Sequence, residues 1–273
     1  MEETKTSARG QVEAVGQAEG RYLYGVAQWG EQTSLGNIGI EGHEVYTIPY
    51  QNLCAVVHNC PTQPYYSEDT DAVKRWVVTH NQVVDVAWER YGAILPAGFG
   101  TIIKGDAESD PQEKVRAWLR QDYESLKKKI ERVRGKAEYG VQIFWDPKII
   151  AEMLMEESPH LKTLSEQVKA KPKGAAYLYQ QRLERALKVE IEVEAAAYVK
   201  DFYQRIKKQV DDLWVEKPKK MDNEKQMLLN LSCLVDRERY KALGEELEKI
   251  EQIDGFSVRF TGPWPPYSFV SSG

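Results

Sequence analysis

The sequence predicts an α+β fold with two domains, in which small antiparallel sheets are packed by helices. The chain has 273 residues, and a domain typically contains about 150 residues. Both halves mix hairpin-like strands with helices, without the regular strand–helix alternation of a Rossmann sheet or a TIM barrel. Gly135 follows a helical segment and separates the two halves. We therefore predict an N-terminal α+β domain over residues 21–135 and a C-terminal domain over residues 136–273.

The first half begins with residues 1–20, which contain almost no large apolar side chains and are predicted to form a disordered tail. Aromatic and β-branched residues then predict three strands, at 21–28, 43–50 and 53–60. The connection between the second and third strands has only two residues, so these strands are expected to form an antiparallel hairpin. Pro49 must then lie at an edge or an end of the sheet.

The rest of the first half contains two predicted helices. Apolar residues on one helical stripe predict a helix over residues 70–91, which Gly92 ends. Residues 94–104 return to strand character, interrupted by a proline and two glycines. A second helix is expected from Pro111 to about Arg134, because proline is well tolerated in the first turn.

The second half is predicted to have the order strand–helix–strand–helix–strand, which resembles a ferredoxin-like split βαβ unit. Its strands are expected at 138–145, 225–235 and 256–260, with a short helix at 147–157 and another that Asp236 can cap and Gly255 ends. Residues 175–214 lack glycine and proline and predict one long amphipathic helix, the helical extension of this ferredoxin-like domain. Its apolar stripe has spacings of three and four residues: Leu183, Leu187, Ile191, Ala195, Tyr198, Phe202, Ile206, Val210 and Leu213.

Charge and composition argue against several classes of protein. A net charge of −5 does not suit a nucleic-acid binder that relies on overall positive charge. No apolar run reaches the ~18–20 residues of a membrane-spanning helix, and residues 1–20 lack the apolar core of a secretory signal. The three cysteines, Cys54, Cys60 and Cys233, lack CxxC spacing and are expected to be buried thiols in a reducing cytoplasm. We predict no nucleic-acid partner and no membrane association.

No catalytic or cofactor motif is complete. Gly105 ends a phosphate-loop-like spacing, but the lysine and hydroxyl residue that bind phosphate and Mg²⁺ do not follow it. None of the four histidines has the HExxH spacing, and no Gly-x-Ser-x-Gly elbow is present. His58 and Cys60 face one side of a predicted strand and hint at a metal site, although ordinary packing is the favoured interpretation. We therefore predict no catalytic residues, no cofactor and no metal.

Three segments together resemble one known family. They are Arg21–Gly25 (RYLYG), Ile94–Thr101 (ILPAGFGT) and Thr261–Phe269 (TGPWPPYSF). In this order and at these separations they resemble the GvpL/GvpF family of gas-vesicle proteins, over nearly the whole chain beyond the tail. The family pattern L-P-x-[RK]-F-G-T usually has a basic residue where this chain has Gly98.

The resemblance implies a two-domain α+β protein related to ferredoxin-like folds, with a helical extension. It also implies an accessory or minor structural protein of gas vesicle assembly, located in the cytoplasm and at the gas vesicle. The expected partners are the hydrophobic major shell protein, whose aggregation would be limited during vesicle nucleation, and other gas-vesicle accessory proteins. No catalytic residues or cofactors come with the family. The alternative is a ferredoxin-like regulatory module that senses a small molecule, which requires a deep pocket with convergent polar groups.

The family motif residues are expected to be structural. They are Leu95, Pro96, Phe99, Gly100, Thr101, Gly262, Pro263, Trp264, Pro265, Pro266, Tyr267 and Phe269. Pro263 and Pro266 also satisfy the PxxP pattern of an SH3 ligand. We favour the interpretation that Trp264 and Tyr267 anchor the end of the chain onto its own sheet. A shell protein is expected to contact either an exposed strand edge, which is preferred, or the apolar stripe of the long helix.

Overall fold

The computed structural model describes residues 19–105, 110–219 and 225–270. These residues form two compact units. One contains the described residues up to Ala87 together with Ala97–Lys127, and the other contains Trp88–Pro96 and the described residues from Lys128 onward. The predicted boundary near Gly135 stays a prediction. Residues 1–18 of the predicted tail lie outside the described residues, and the last two tail positions belong to the first strand.

Small antiparallel sheets with helices are observed, as the sequence predicts for the α+β class. The first six strands are β1 Glu19–Ala27, β2 Ser34–Gly36, β3 Val45–Tyr50, β4 Leu53–Pro61, β5 Ile94–Pro96 and β6 Ile102–Lys104. The first sheet has the antiparallel order β2-β3-β4-β1, and β6 pairs with β1. β1 is buried at every position except Glu19, which explains its nearly continuous aromatic and aliphatic sequence. The predicted hairpin is β3–β4, with Pro49 opposite Cys54 near its turn.

The helices of this part of the chain are α1 Thr70–Tyr91, which lies between β4 and β5, and α2 Pro111–Gln121 and α3 Tyr123–Val133, which follow β6. α1 ends as predicted, because Gly92 has a φ of 75° and donates its N–H to the Trp88 carbonyl. Asp110 caps α2 by accepting a hydrogen bond from the Gln112 N–H. The single helix predicted to reach Arg134 is instead two helices, since Asp122 leaves the regular helical conformation with φ −98° and ψ 8°.

The second sheet consists of β7 Lys136–Trp145, β8 Asp212–Val215, β9 Gln226–Asp236 and β10 Phe256–Trp264. Its order is β10-β7-β9-β8, and all neighbours are antiparallel. The helices that accompany it are α4 Pro147–Glu157, α5 Pro159–Ala170, α6 Lys173–Lys207 and α7 Tyr240–Glu251. The chain therefore passes from one strand through three helices to a strand pair, then through one helix to the last strand. The ferredoxin-like description of this domain stays a prediction.

The long helix differs from the prediction at its C-terminal end. α6 ends at Lys207, and Leu213 and Trp214, which were assigned to the helix, lie in β8. They pair with Cys233 and Ser232 of β9, so pairing with a neighbouring strand overrides a pattern that also fits a helix. α5 is a further helix that the sequence analysis did not predict. The 35 residues of α6 span about 52 Å at 1.5 Å per residue.

The predicted apolar stripe of α6 is buried to different degrees along its length. Phe202 and Ile206 are fully buried near its C-terminal end. The rings of Tyr198 and Phe202 contact Phe256 of β10, with centroid distances of 4.7 and 5.1 Å. Most stripe residues nearer the N-terminal end are only half-buried. The C-terminal half of α6 is therefore the part that belongs to the core of its unit.

Candidate functional site

A cluster of tyrosine and histidine side chains is buried in the first unit. Tyr22 and Tyr24 come from β1, His58 comes from β4 and His80 comes from α1. At most 1% of each residue is exposed. Tyr22 and Tyr24 are two positions apart and therefore point to the same face of the strand. The rings of Tyr22 and His58 stack, with centroids 4.9 Å apart and an angle of 7° between their planes. We call these four residues the Tyr–His cluster.

Backbone groups fix the direction of the hydrogen bond between Tyr22 and His80. His80 Nε2 lies 3.1 Å from the Ala97 carbonyl and must therefore donate to it. The other ring nitrogen, Nδ1, then accepts from the Tyr22 hydroxyl at 2.9 Å. The Tyr22 oxygen also accepts the Gly100 N–H at 3.0 Å. Tyr22 and His80 are thus both hydrogen-bonded to the loop between β5 and β6.

The second pair of the Tyr–His cluster links Tyr24 to His58. The Tyr24 oxygen accepts the Ile40 N–H at 3.1 Å, and the Tyr24 hydroxyl is hydrogen-bonded to His58 Nδ1 at 2.8 Å. The other ring nitrogen, Nε2, is hydrogen-bonded to the Tyr65 hydroxyl at 3.0 Å. Both ring nitrogens of His58 therefore face hydroxyl groups, which can donate or accept, whereas a backbone carbonyl fixes the tautomer of His80.

Burial keeps the cluster uncharged. The pKa of His58 is lowered from 6.5 to about 3, chiefly by burial and then by the neighbouring His43 and His80. Burial also lowers the pKa of His80 and raises the pKa of Tyr22 to about 12. A general base needs a pKa near the operating pH, so these groups are poorly suited to acid–base catalysis and well suited to a rigid core.

Residues 97–101 of the ILPAGFGT segment, called here the first motif, contact this cluster and β1. Leu23 donates its N–H to the Thr101 carbonyl and the Ala97 N–H donates to the Tyr24 carbonyl, both at 2.9 Å. Gly100 has a φ of 84°, a conformation that favours glycine, and its N–H reaches Tyr22. The segments Arg21–Gly25 and Ile94–Thr101, which carry the family resemblance, are therefore hydrogen-bonded to each other.

The other residues of the first motif differ in exposure. Leu95 and Pro96 are buried, whereas Phe99 is 37% exposed. The Phe99 ring is edge-on to the rings of Tyr22 and His80, at centroid distances of 6.3 and 6.0 Å. Thr101 closes the loop, because its hydroxyl donates to the Gly98 carbonyl at 2.7 Å. These contacts are those of a structural loop.

The C-terminal motif is held on the second sheet through residues other than those expected. Phe269 is 1% exposed, and Pro265 and Pro266 are also buried. Trp264 is 51% exposed and Tyr267 is half-buried. The expectation that the Trp264 ring anchors the chain end is therefore wrong. Trp264 lies at the end of β10, which is an edge strand among the described residues.

Hydrogen bonds also hold the C-terminal motif against β7. Ser268 donates both its N–H and its hydroxyl to the Glu138 carboxylate, at 2.8 and 2.6 Å. Gly262 is required here because its φ is 120° and a Cβ would lie 2.8 Å from the Glu138 carbonyl oxygen. Lys129 Nζ donates to the Val270 carbonyl at 3.0 Å. Pro263 follows Gly262 through a cis peptide bond.

The side chains expected to hint at a metal site are committed to other contacts. Both ring nitrogens of His58 are hydrogen-bonded to tyrosines. Cys60 is buried, and burial raises the pKa of its thiol. Across residues 19–105, 110–219 and 225–270, no group of three or more His, Cys, Asp or Glu residues is placed to hold a metal ion. No described helix is both long enough and apolar enough to cross a membrane.

α6 carries a second apolar face that its own unit leaves uncovered. Leu178, Val189 and Val193 are 60%, 52% and 64% exposed. Their spacings of 11 and 4 residues place them on one side of the helix, opposite the stripe that contains Phe202 and Ile206. We call these three residues the outer face of α6. This face borders a groove of about 440 Å³ beside α5, lined by His160, Leu164, Arg182, Arg185, Ala186, Val189 and Glu190.

Comparison with known proteins places this architecture in a family. A family model described as "Gas vesicle synthesis protein GvpL/GvpF" matches residues 20–271. The chain belongs to the GvpL/GvpF family. Gas vesicle protein L1 of Halobacterium salinarum is 32% identical over 262 residues, which cover 93% of this chain and 91% of that protein. Gas vesicle protein F of a Streptomyces species is 26% identical over 255 residues, covering 91% of this chain and 98% of that protein.

A solved structure shows the same fold. The crystal structure of the gas vesicle protein GvpF from Anabaena matches with a TM-score of 0.73 at 19% sequence identity, covering 94% of this chain and 100% of that one. Membership in the GvpL/GvpF family associates this chain with gas vesicles and their assembly. The predicted family is therefore confirmed.

The departure from the family pattern at Gly98 has a simple structural setting. A Cβ at this position would meet only the Thr101 hydroxyl oxygen, at 4.0 Å. A Cβ would therefore fit here in ordinary van der Waals contact, so the glycine is not required by crowding at this atom. Sequence reasoning missed the Tyr–His cluster and the outer face of α6. The two-residue spacing of Tyr22 and Tyr24 was the sequence signal for the cluster. A second series of branched residues in α6 was the signal for the outer face.

Proposed function

We propose that this chain binds the hydrophobic major shell protein of gas vesicles and limits its aggregation during vesicle nucleation. Family membership supports a role in gas vesicle assembly. The observation that carries the finer proposal is the outer face of α6, where three branched apolar side chains are each more than half exposed. Exposed apolar side chains on one side of a helix, with polar residues beside them, are common in protein-binding sites.

The physical basis is mass action. A shell subunit must carry large apolar surfaces that become sealed in the finished wall, so free subunits aggregate through those surfaces. A partner that covers such a surface lowers the concentration of the aggregating form. The partner must also leave when the subunit is incorporated. A dissociation constant of about 1 μM, or about −8 kcal/mol, satisfies both requirements better than a permanent complex.

The outer face of α6 is our choice of contact surface, in place of the strand edge that the sequence analysis preferred. The exposed side chains of β8 are Trp214 and Val215, at 42% and 59% exposure, on a strand of only four residues. The outer face extends over about four turns of helix and borders the groove beside α5. Arg182 and Arg185 line that groove and provide a polar rim, as protein interfaces usually have.

The binding test compares two matched double variants of α6. Leu178→Ser with Val193→Ser removes the outer face, and Gln181→Ser with Lys188→Ser makes the same number of serine substitutions at exposed polar positions. Tagged forms are used to pull down co-expressed shell protein. We expect the wild type and the Gln181/Lys188 variant to recover similar amounts of shell protein. The Leu178/Val193 variant should recover at least tenfold less.

Two outcomes would change the proposal. If the wild-type chain recovers no shell protein, the binding function is wrong. If Trp214→Ser with Val215→Ser abolishes recovery while the Leu178/Val193 variant retains it, the function stands and the contact surface is the edge of the second sheet.

A further inference from the structure

A cleft in the first unit lies next to the Tyr–His cluster and has no place in the proposed contact with the shell protein. Its volume is about 530 Å³. The residues that line it come from the turn before β3, the segment after β4 and the second turn of α1: Glu41, His43, Pro61, Gln63, Pro64, Tyr65, Tyr66, Ser67 and Trp76. The lining thus contains three large aromatic rings and one carboxylate, and no lysine or arginine of the described residues is part of it.

Two walls of the cleft are fixed by contacts inside the unit. The Tyr65 hydroxyl is hydrogen-bonded to buried His58 Nε2 at 3.0 Å, and the Tyr65 ring lies edge-on to Trp76 with centroids 5.3 Å apart. His43 Nδ1 donates to the Ile40 carbonyl at 2.7 Å, and its ring stacks on His58. The remaining ring nitrogen of a neutral His43 is then an acceptor. These groups need little reorganisation to receive a ligand.

The carboxylate of the cleft sits on a strained backbone. Glu41 has a φ of 57°, which non-glycine residues rarely adopt. It lies in the short 3₁₀ turn Ile40–Gly42, whose first N–H is held by the buried Tyr24 hydroxyl. Strain of this kind concentrates at functional sites. The nearby aromatic residue Tyr66 is 79% exposed, so its ring is accessible to a ligand.

We infer that this cleft binds a guanidinium or ammonium group. The carboxylate of Glu41 supplies the counter-charge, and the faces of Tyr66 and Trp76 attract a cation through their ring quadrupoles. His43 and the Tyr65 oxygen can accept N–H donors from the same group. The two sources of this chemistry are an arginine or lysine side chain of a protein and a free amine such as a polyamine. The binding is independent of the contact made by α6.

The test follows Trp76 by ¹⁹F NMR in the full chain labelled with 5-fluorotryptophan. The chain has seven tryptophans, and the Trp76→Phe variant assigns the Trp76 signal. The probes are N-acetyl-arginine amide, its neutral isostere N-acetyl-citrulline amide, and spermidine. We expect a saturable shift of the Trp76 signal with N-acetyl-arginine amide or spermidine, half-complete near ~1 mM, and none with the citrulline compound. The stronger of the two active probes identifies the source of the cation.

Two substitutions locate the charge and the aromatic contact. Glu41→Gln should weaken binding about fivefold, which corresponds to the loss of one exposed ion pair, and Tyr66→Ala should also weaken it. Glu89→Gln, an exposed change near the end of α1, should leave binding unchanged. Thermal melts of all three variants check that the fold is intact. Equal shifts with the arginine and citrulline probes, no saturable shift with either cation, or full affinity in an intact Glu41→Gln variant would overturn the inference.

Discussion

The Tyr–His cluster and the outer face of α6 place large side chains in opposite environments. In the cluster, Tyr24 is fully buried and its hydroxyl bonds both a backbone N–H and the imidazole of His58. On the outer face, Leu178 and Val193 are 60% and 64% exposed. A buried, hydrogen-bonded ring stabilises its own unit, whereas an exposed branched side chain gains free energy only when another molecule covers it. Substitutions in the two regions should therefore separate stability from binding.

The largest expected effect on stability lies in the cluster. Tyr24→Ala removes a fully buried ring and leaves the Ile40 N–H and His58 without their partner. We expect it to lower the free energy of unfolding by about 3–5 kcal/mol. Tyr177→Ala, at a position of α6 that is 64% exposed, should change it by less than about 0.5 kcal/mol. Denaturant unfolding of the two variants measures the difference, and equal losses would contradict the contrast between the regions.

The C-terminal motif contains one buried and one exposed aromatic residue within six positions. Phe269 is 1% exposed and Trp264 is 51% exposed. Phe269→Ala should cost about 3 kcal/mol, and Trp264→Ala should cost less than about 1 kcal/mol despite its larger ring. Melting temperatures of the two variants decide this. A larger shift for Trp264→Ala would mean that the indole, and not Phe269, anchors the segment.

Acid should destabilise the unit that contains the cluster. Unfolded His58 binds a proton near pH 6.5, whereas folded His58 has a pKa of about 3, so protons favour the unfolded state between these values. The contribution of neutral, buried His58 to stability is therefore fully present above pH 6.5. Below that pH, the free energy of unfolding falls by up to about 1.4 kcal/mol per pH unit. The expected loss is about 2 kcal/mol at pH 5. His160→Gln, at an exposed histidine on α5, should leave this pH dependence unchanged in denaturant titrations.

The smallest effect on stability is expected on the outer face of α6. Leu178→Ser with Val193→Ser changes two exposed positions and should alter the unfolding free energy by no more than about 1 kcal/mol, mostly through helix propensity. The Gln181→Ser and Lys188→Ser control carries at least as large a helix cost, because glutamine, lysine and leucine rank above serine in helix propensity whereas valine ranks beside it. A much larger loss in the first variant than in the control would show that these side chains are part of the core of their own unit.

Local signals in the sequence were sufficient for many elements. Asp110 and Asp146 each cap the helix that follows, and Gly92 ends α1 as its position suggested. The strand assignments for β1, β3, β4 and β7 follow directly from period-two patterns and β-branched residues. These features depend on neighbouring residues alone.

Features that depend on residues far apart in the sequence could not be predicted from local patterns. Leu213 fits a helical stripe, and only its pairing with Cys233 in β9 shows that it belongs to a strand. The hydrogen bond between Tyr24 and His58 joins residues 34 positions apart and depends on the register between β1 and β4. The exposure of Trp264 follows from the position of β10 at the sheet edge. The outer face of α6 was missed because the opposite stripe accounts for the helical period.

The soluble fraction of the shell protein is the most direct test of the central claim. Shell protein is co-expressed alone, with the wild-type chain, with the Leu178/Val193 serine variant and with the Gln181/Lys188 serine variant, and the supernatant and pellet are compared after sedimentation. The account predicts that the wild type and the Gln181/Lys188 variant raise the soluble fraction and that the Leu178/Val193 variant, folded to the same extent, does not. A soluble fraction that the wild-type chain fails to raise would contradict the proposed function.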